Sequence, residues 1–308
     1  MKRAVPVLFL CLVAATSAFS RQIAVTKLTG PYFGQKPPGM TPEVFAPGIV
    51  SKEGHQAKLF FTPDGSEAVY DERDPVSNKS RFVWVRSVQG VWSEPVVIPF
   101  STEHINNEPC LSPDGKKLFF VSNRPAVPGG QEERTPDIWM SERTEDGWGG
   151  PLKLGPAVNS SDIEVQPFFS SDGKLYFMRQ NAAGRQLLRA SFLDGQFMET
   201  VPLGTGFSPD QVSGPCVSPD GRVMILHSRM EGGFGSWDLY ASFKDASGNW
   251  GELVNLGEPV NTPGSEGNAT FSPDGRFLFF TRDGDIYWVS AKIIEEMRPK
   301  EARKGASR

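Results

Sequence analysis

Hydrophobic and polar positions along this chain follow the same pattern five times. In each copy an apolar residue precedes a short polar turn that contains Asp-Gly, and a run of apolar residues follows. Continuous apolar runs of this length indicate strands that are buried on both faces, and Asp-Gly is a strong signal for a tight hairpin turn. The pattern therefore predicts β-hairpins that stack against each other. The five copies are FTPDGSEAVY (61–70), LSPDGKKLFF (111–120), FSSDGKLYFM (169–178), VSPDGRVMIL (217–226) and FSPDGRFLFF (271–280).

The spacing of these turns predicts how many sheets the chain forms. Their aspartates are 50, 58, 48 and 54 residues apart, and two more strands can be traced after each apolar run. The third strand alternates between polar and apolar residues, and the fourth begins at an aromatic residue such as Trp148 or Trp250. A period near 50 in a strand-rich sequence is typical of a β-propeller with one blade per repeat. We predict an all-β fold, a five-bladed β-propeller of four-stranded antiparallel blades, with six blades as the alternative.

The fifth repeat ends after its third strand, and a matching fourth strand stands near the start of the chain. Residues 40–50 have the same spacing to the next turn aspartate as residues 148–158 and 250–260. We therefore predict that this N-terminal strand completes the last blade and closes the ring, which removes two exposed sheet edges. A sixth blade would have to come from residues 22–39, which are rich in Pro and Gly and too few for four strands.

Both ends of the chain are predicted to lie outside the blades. Residues 1–20 combine Lys2 and Arg3 with a short apolar run and small residues, which is typical of a secretory signal peptide. We therefore expect the protein in the periplasm or secreted, and no later segment is long and apolar enough to span a membrane. The expected organisation is a signal peptide (1–20), an N-terminal arm (21–40), the propeller (41–290), and a short helix with a disordered tail (291–308).

The net charge argues against a nucleic-acid partner, and the positions of the cysteines argue against a disulfide. Without Lys2 and Arg3 the chain has 30 basic and 36 acidic residues, so it offers no basic surface for nucleic acid. Cys110 and Cys216 hold equivalent places in the second and fourth repeats, which are not neighbours, so a disulfide between them is not expected. We expect two free thiols and a monomer.

The turns and the third strands together resemble a known repeat. S-P-D-G turns followed by apolar residues, with the third strands DIW (137–139), DLY (238–240) and DIY (285–287), are similar to the WD40-like repeat of TolB-type propellers. The resemblance extends from about Pro42 to Val289. It implies the propeller fold but no single function, since such propellers serve as periplasmic scaffolds, as domains beside peptidases and occasionally as polysaccharide lyases. TolB itself has six blades and a separate N-terminal α/β domain, features that this sequence does not show.

Acidic residues and histidines collect in the loops that precede the innermost strands. In a propeller these loops share one face, here called the loop face, with the loops between the second and third strands, while the Asp-Gly turns lie on the opposite turn face. Converging carboxylates there could bind Ca²⁺ or basic groups of a peptide. The alternative is that these side chains only stabilise solvated loops. The candidate ligand-binding residues are His55, Glu103, His104, Glu108, Asp162, Glu164 and Glu266.

Arginines recur where the second strand of a repeat ends, close to aspartates at the start of the third strand. Because neighbouring strand ends are within reach of each other, we predict structural ion pairs between these residues. The alternative is a ring of arginines that holds an anionic sugar. The predicted pairs are Arg124 with Asp137, Arg229 with Asp238, and Arg282 with Asp285.

The sequence shows no assembled catalytic motif. A nucleophile elbow, a Gly-rich phosphate loop and a Cys/His metal spacing are all missing. The sequence therefore predicts an exported, non-enzymatic propeller that binds a protein, peptide or glycan of the cell envelope through its loop face, with Ca²⁺ as the one cofactor considered. The alternative is a metal-assisted polysaccharide lyase or a glycoside hydrolase, in which carboxylates or a His/Glu set would face each other across the channel.

Overall fold

A computed structural model of the protein describes residues 28–299 except residues 53, 75 and 128. Five separate antiparallel sheets form five blades, so the predicted five-bladed β-propeller is confirmed and the six-bladed alternative is wrong. The predicted signal peptide and the tail after residue 299 lie outside the described residues. Within the described part, no helix has the length and apolar character needed to cross a membrane.

Each blade is a meander of strands that begins at the axis of the ring. In chain order, the strands are as follows. The ring-closing strand is β1 (Glu43–Val44). Blade 1 contains β2 (Gln56–Phe61), β3 (Glu67–Arg73), β4 (Ser80–Val88), β5 (Val91–Trp92) and β6 (Val96–Val97). Blade 2 contains β7 (Asn106–Leu111), β8 (Lys117–Ser122), β9 (Asp137–Thr144), β10 (Gly147–Trp148) and β11 (Leu152–Lys153).

The remaining blades follow the same order. Blade 3 contains β12 (Ile163–Phe169), β13 (Lys174–Asn181), β14 (Gly184–Leu193), β15 (Gln196–Phe197) and β16 (Val201–Pro202). Blade 4 contains β17 (Val212–Val217), β18 (Val223–Ser228), β19 (Asp238–Lys244) and β20 (Trp250–Asn255). Blade 5 contains β21 (Glu266–Phe271), β22 (Phe277–Arg282), β23 (Asp285–Ser290) and, at its outer edge, β1. Short 3₁₀ helices span Pro31–Gly34, Pro99–Ser101 and Pro209–Gln211, and α1 spans Lys292–Met297.

The N-terminal strand closes the ring as predicted. Strand β1 pairs antiparallel with β23, with Glu43 opposite Trp288 and Val44 opposite Tyr287. The segment before it crosses the junction between blades 5 and 1, where the ring of Phe33 stacks on Trp92 with centroids 4.2 Å apart. The outer edge of β23 is thereby paired, which joins the two ends of the propeller within one blade.

The core lies between the blades rather than within one of them. All six residues of β18 are buried, and residues 118–121 of β8 are at most 2% exposed, as expected for strands covered on both faces. Aromatic rings join neighbouring blades, for example Phe119 of blade 2 and Phe169 of blade 3, whose centroids are 5.1 Å apart. Cys110 and Cys216 are buried and free, as expected.

The turn aspartates have a structural role on the turn face. In each repeat the hydroxyl two residues before the aspartate donates a hydrogen bond to its carboxylate, as Ser112 does to Asp114 at 2.5 Å. In the second repeat Asp114 also accepts the backbone N–H of Lys116. These bonds hold the pKa of Asp114 below its usual value, although its partial burial acts in the opposite direction. The turn therefore needs its aspartate in the charged form.

The ring closure should depend on Phe45, which directly follows β1. This ring is fully buried and packs against Phe61, Phe279 and Trp288. We expect Phe45→Ala to lower the free energy of unfolding by about 3–5 kcal/mol, since it removes a large buried side chain and leaves a cavity. Urea unfolding measures this change. Phe234→Ala, at a 46% exposed ring, is the control and should change stability by less than about 0.5 kcal/mol. Equal effects of the two changes would contradict this account of closure.

Candidate functional site

A β-bulge recurs at the same place in the innermost strand of every blade. In each blade the pairing register with the second strand shifts around one residue, the sixth before the turn aspartate. In four blades this residue has a left-handed backbone, with φ of +58° at Glu108, +59° at Gln166, +63° at Gly214 and +52° at Asn268. Lys58 holds the equivalent position in blade 1. The bulges bring these side chains together around the axis.

All five blades contribute to a polar cavity at the loop-face end of this axis. The cavity has a volume of about 350 Å³. A second cavity of about 410 Å³ adjoins it, shares His55 and Asn268, and reaches Asp71, Arg73 and Lys79. The first cavity is lined chiefly by His55, Glu108, Gln166, His227, Trp237 and Asn268, together with Glu266, Asp283 and neighbouring backbone.

Aromatic side chains close the axis below this cavity. Phe60 and Phe168, from blades 1 and 3, lie with ring centroids 6.2 Å apart and are 8% and 7% exposed. On the turn-face side of these rings is a smaller cavity of about 150 Å³, lined mainly by phenylalanines and by the prolines of the turns. The channel is therefore a polar funnel with an apolar floor and opens on the loop face.

The bulge residues also connect neighbouring blades. The backbone N–H of Gln166 donates to Oε2 of Glu108 at 2.6 Å, and the backbone N–H of Gly214 donates to Oε1 of Gln166 at 2.7 Å. Glycine at 214 makes room for the His227 ring, because a Cβ there would lie 2.5 Å from its Cε1 atom. The His227 imidazole thus occupies the part of the axis that the blade 4 bulge leaves free.

Charged groups from three blades meet beside the floor of the funnel. Lys58 is 2% exposed, and its Nζ atom has no hydrogen-bond partner within the described part of the chain. Burial raises the pKa of Asp71 to about 7, with Lys58 acting against this shift and Glu108 adding to it. Burial likewise raises the pKa of Glu108, opposed by Lys58 and by the Gln166 N–H. Burial, together with Lys58, lowers the pKa of His227 to about 3, so that its ring is neutral at physiological pH.

Two of the predicted ligand-binding carboxylates are instead parts of buried ion pairs. Glu164 and Glu266 are fully buried and bind Arg179 at 2.6 Å and Arg282 at 3.1 Å, respectively. Each also accepts hydrogen bonds from the residue four positions earlier in its loop, Ser160 or Thr262. Burial still raises the pKa of Glu266. These carboxylates fasten the loop before the innermost strand to the second strand.

The remaining predicted residues are spread over the loop face. Of the predicted set, His55, Glu108 and Glu266 line the central cavity, and His55 is exposed at its rim. Glu103 is exposed, Nδ1 of His104 lies 3.0 Å from Glu132, and Asp162 accepts a hydrogen bond from Asn181. The ligand-binding role of the set stays a prediction. The structure brings three of its members together and leaves the other four outside the cavity.

The predicted ion pairs between strand ends are wrong. Arg282 pairs with Glu266 rather than with Asp285, because leaving a fully buried carboxylate unpaired would cost more than leaving Asp285 near solvent. Arg124 lies among three aromatic rings and donates to Asn106 at 2.5 Å. Its burial lowers its pKa to about 10, against the effect of Glu103.

The two remaining aspartates have other partners. Asp137 pairs with Lys153 at 2.7 Å on the neighbouring outer strand rather than with Arg124. Asp238 accepts the backbone N–H groups of Phe234 and Gly235, which holds the long loop before β19. Arg229 instead stacks on Trp237, with its guanidinium carbon 4.2 Å from the ring centroid. Local loop geometry thus decides these partners, and the arginine ring that holds an anionic sugar stays a prediction.

Among the described residues, no group of three or more His, Cys, Asp or Glu side chains is placed to hold a metal ion. Ca²⁺ binding on the loop face stays a prediction.

Sequence reasoning missed Lys58, Gln166 and Asn268, although a signal for them was present. In four repeats the sixth residue before the turn aspartate is polar, inside a strand that is otherwise buried near its end. A polar residue at one fixed place in several copies of a buried strand indicates a shared environment around the axis. Trp237 gave no such signal, because it lies in a loop of irregular length.

Comparison with solved structures agrees with the fold. The chain has the fold of a TolB-type β-propeller. It superposes on TolB from Acinetobacter baumannii with a TM-score of 0.50 and 18% identity, over 78% of this chain and 55% of that chain. This chain therefore spans about half the length of that protein. At this identity the likeness shows the fold alone.

Two further solved structures have lower TM-scores. A structure described as TolB from Agrobacterium tumefaciens has 19% identity over 73% of each chain and a TM-score of 0.47. A gluconolactonase from Xanthomonas campestris has 15% identity over 85% of this chain and 98% of that chain, also with a TM-score of 0.47. No family model matches the chain, and no curated protein sequence matches it.

The raised pKa of Asp71 predicts a pH-dependent effect of Asp71→Asn. Because the folded state favours the protonated carboxyl, the native protein loses stability as the pH rises from about 4 through 7. Asp71→Asn removes the buried charge, so at pH 8 it should raise the free energy of unfolding by at most about 4 kcal/mol, the equivalent of about three pKa units, and at pH 4 by little. Urea unfolding at the two pH values measures this.

Asp114→Asn is the matched control, because the pKa of this turn aspartate is lowered rather than raised. Its stabilising effect is present at neutral pH and is lost as the pH falls, so the variant should be less stable than the native protein at pH 8. A loss of stability in both variants at pH 8 would contradict a buried Asp71 carboxylate that destabilises the native protein.

Proposed function

We propose that this protein is an exported, non-enzymatic propeller that binds a protein, peptide or glycan of the cell envelope through its loop face. One observation carries the proposal, namely the pair of adjoining polar cavities at the loop-face end of an axis whose other end is closed by Phe60 and Phe168. A funnel with one opening can receive a group from a partner but offers no passage through the ring. Export is supported by the signal-peptide pattern of residues 1–20.

The loops around this funnel support contact with a large partner. Four large apolar side chains are exposed at loop tips on this face, and Val76 is 94% exposed. These side chains give a partner apolar contact points around the funnel, while the other six exposed large apolar side chains of the described residues lie in or beside the outer strands. The four residues are Val76, Ile105, Val127 and Phe234.

Site-specific photocrosslinking tests the loop face. A photoreactive amino acid placed at Val76 or Phe234 should give crosslinks to a cell-envelope component. The same group at Leu193, which is 58% exposed at the end of a hairpin on the turn face, is the control and should give none. The full chain is produced with its own leader, and the mass of the recovered protein reports whether the leader has been removed. Crosslinks from Leu193 alone, or a retained leader, would contradict the proposal.

The alternative, a polysaccharide lyase or glycoside hydrolase, is favoured by one observation. A general acid must be protonated near the working pH, and Glu108 has a raised pKa and lines the cavity. If the protein only binds, the native chain should release no new reducing or unsaturated sugar ends from envelope polysaccharide. Glu108→Gln should then give the same result as the native chain. An end-group assay that finds release in the native protein and its loss in Glu108→Gln would establish the enzyme instead.

A further inference from the structure

The polar groups that line the central cavity surround it on several sides. Glu108, Gln166 and Asn268 come from blades 2, 3 and 5, and we call them the bulge ring. In the described structure, Oε1 of Glu108, Nε2 of Gln166 and both polar atoms of Asn268 make no hydrogen bond. None of these atoms is among the buried, unpartnered ones, so they are accessible from the cavity. His55 of blade 1 adds an imidazole at the rim.

Most charged groups around the bulge ring have an opposite charge nearby, whereas Asp283, which also lines the cavity, accepts the backbone N–H of Ser265. Glu266 is neutralised by Arg282, and the carboxylate of Glu108 lies in the field of buried Lys58. The His227 ring is neutral because burial and Lys58 disfavour its charged form. An anionic ligand group would meet the carboxylates of Glu108 and Asp283, and a cationic group would lose its hydration in the field of Lys58, so an uncharged ligand is favoured. The free groups comprise both donors and acceptors, which suits hydroxyl groups, since each can donate and accept.

The arrangement around a ring favours a sugar over a peptide. A peptide backbone presents its polar groups along two edges and is typically bound by adding a strand to an open sheet edge. The inner edges of the innermost strands are partly occupied, because the backbone N–H groups of Gln166 and Gly214 already donate to Glu108 and Gln166 of the neighbouring blades. A sugar ring carries hydroxyl groups around its whole perimeter, and Trp237 supplies an aromatic surface at the wall. The volume of about 350 Å³ is at the lower end of the range for small-ligand sites.

We propose that the central cavity is a subsite for one neutral sugar residue, bound through its hydroxyl groups by the bulge ring and His55. This inference rests on the proposed binding function of the loop face and names the ligand class. The backbone gives independent support. Glu108, Gln166 and Asn268 hold a left-handed conformation that glycine adopts without cost and that other residues adopt at a cost of about 1 kcal/mol. Gly214 shows that the bulge itself accepts glycine; Glu108 and Gln166 use one side-chain oxygen each to bind the next blade, whereas the Asn268 side chain makes no such bond in the described structure.

Asn268→Gly tests the proposal without breaking an internal contact. The Asn268 side chain makes no hydrogen bond in the described structure, and its φ of +52° suits glycine, so stability should be unchanged or higher. The matched control is Gln89→Gly, which removes an amide at a similar positive φ of 53° but is exposed in the hairpin between β4 and β5, outside the cavity lining. Thermal unfolding of both variants verifies that they are folded.

Binding is measured by saturation-transfer NMR and calorimetry with defined probes. The neutral probes are glucose, galactose, N-acetylglucosamine and their β-linked disaccharides. The charged probes are galacturonate and glucosamine, and N-acetyl-trialanine amide represents a peptide. We expect at least one neutral sugar to bind to the native protein and to Gln89→Gly, with affinity lowered at least about tenfold in Asn268→Gly, as the loss of direct hydrogen bonds predicts.

Three results would overturn the sugar subsite. The first is that no neutral sugar binds, and the second is that a charged probe or the peptide binds more tightly than any neutral sugar. The third is that Asn268→Gly binds the sugar with the native affinity. The crosslinking experiment is independent of these results. Loop-face crosslinks without sugar binding would reject the subsite and keep the proposed function, whereas the absence of loop-face crosslinks would reject the function itself.

Discussion

Closing five sheets into one ring forces five innermost strands to meet around a narrow axis, and the rest of the structure depends on how the chain meets that constraint. The axis is narrow enough for the rings of Phe60 and Phe168 to approach from different blades and for Lys58 to influence groups on blades 2 and 4. Without the bulges, all five innermost strands would place side chains at the same levels along the axis and crowd it. The repeated bulge relieves the crowding and divides the axis into an apolar part and a polar part.

The same strands are joined to each other by side chains at a second repeated position, four residues before the turn aspartate. In blade 2 this residue is Cys110, whose sulfur accepts the backbone N–H of Phe169 in blade 3 at 3.1 Å. In blade 5 it is Thr270, which donates to the carbonyl of Leu59 in blade 1 at 2.6 Å. These bonds cross from blade to blade, so they hold the ring together where hydrophobic packing alone would leave the strands free to slide. Burial raises the pKa of Cys110 to about 12, so its thiol stays protonated. Its sulfur therefore acts as a structural acceptor between two blades.

Acidic residues on the loop face have two separate purposes. Glu164 and Glu266 are each bound by an arginine and a hydroxyl, and their charge is used to fix a loop. Glu108 keeps one oxygen free beside the cavity, and its charge is opposed by Lys58. A count of carboxylates near the mouth therefore overstates its negative potential. The paired carboxylates fix the loops, and the unpaired polar atoms lie at the bulges.

The sequence by itself determined the five-bladed architecture, the ring closure by residues 40–50 and the structural role of the turn aspartates. These features follow from local chemistry that repeats, namely buried apolar runs and Asp-Gly turns at a regular period. Which charged residues pair was decided by the tertiary structure. Arg282 binds Glu266 and Asp137 binds Lys153 because burial and side-chain reach set the cost of each alternative, and neither can be read from spacing along one strand. The polar cavity likewise exists because bulges from different blades converge on one axis, and that convergence is a property of the closed ring.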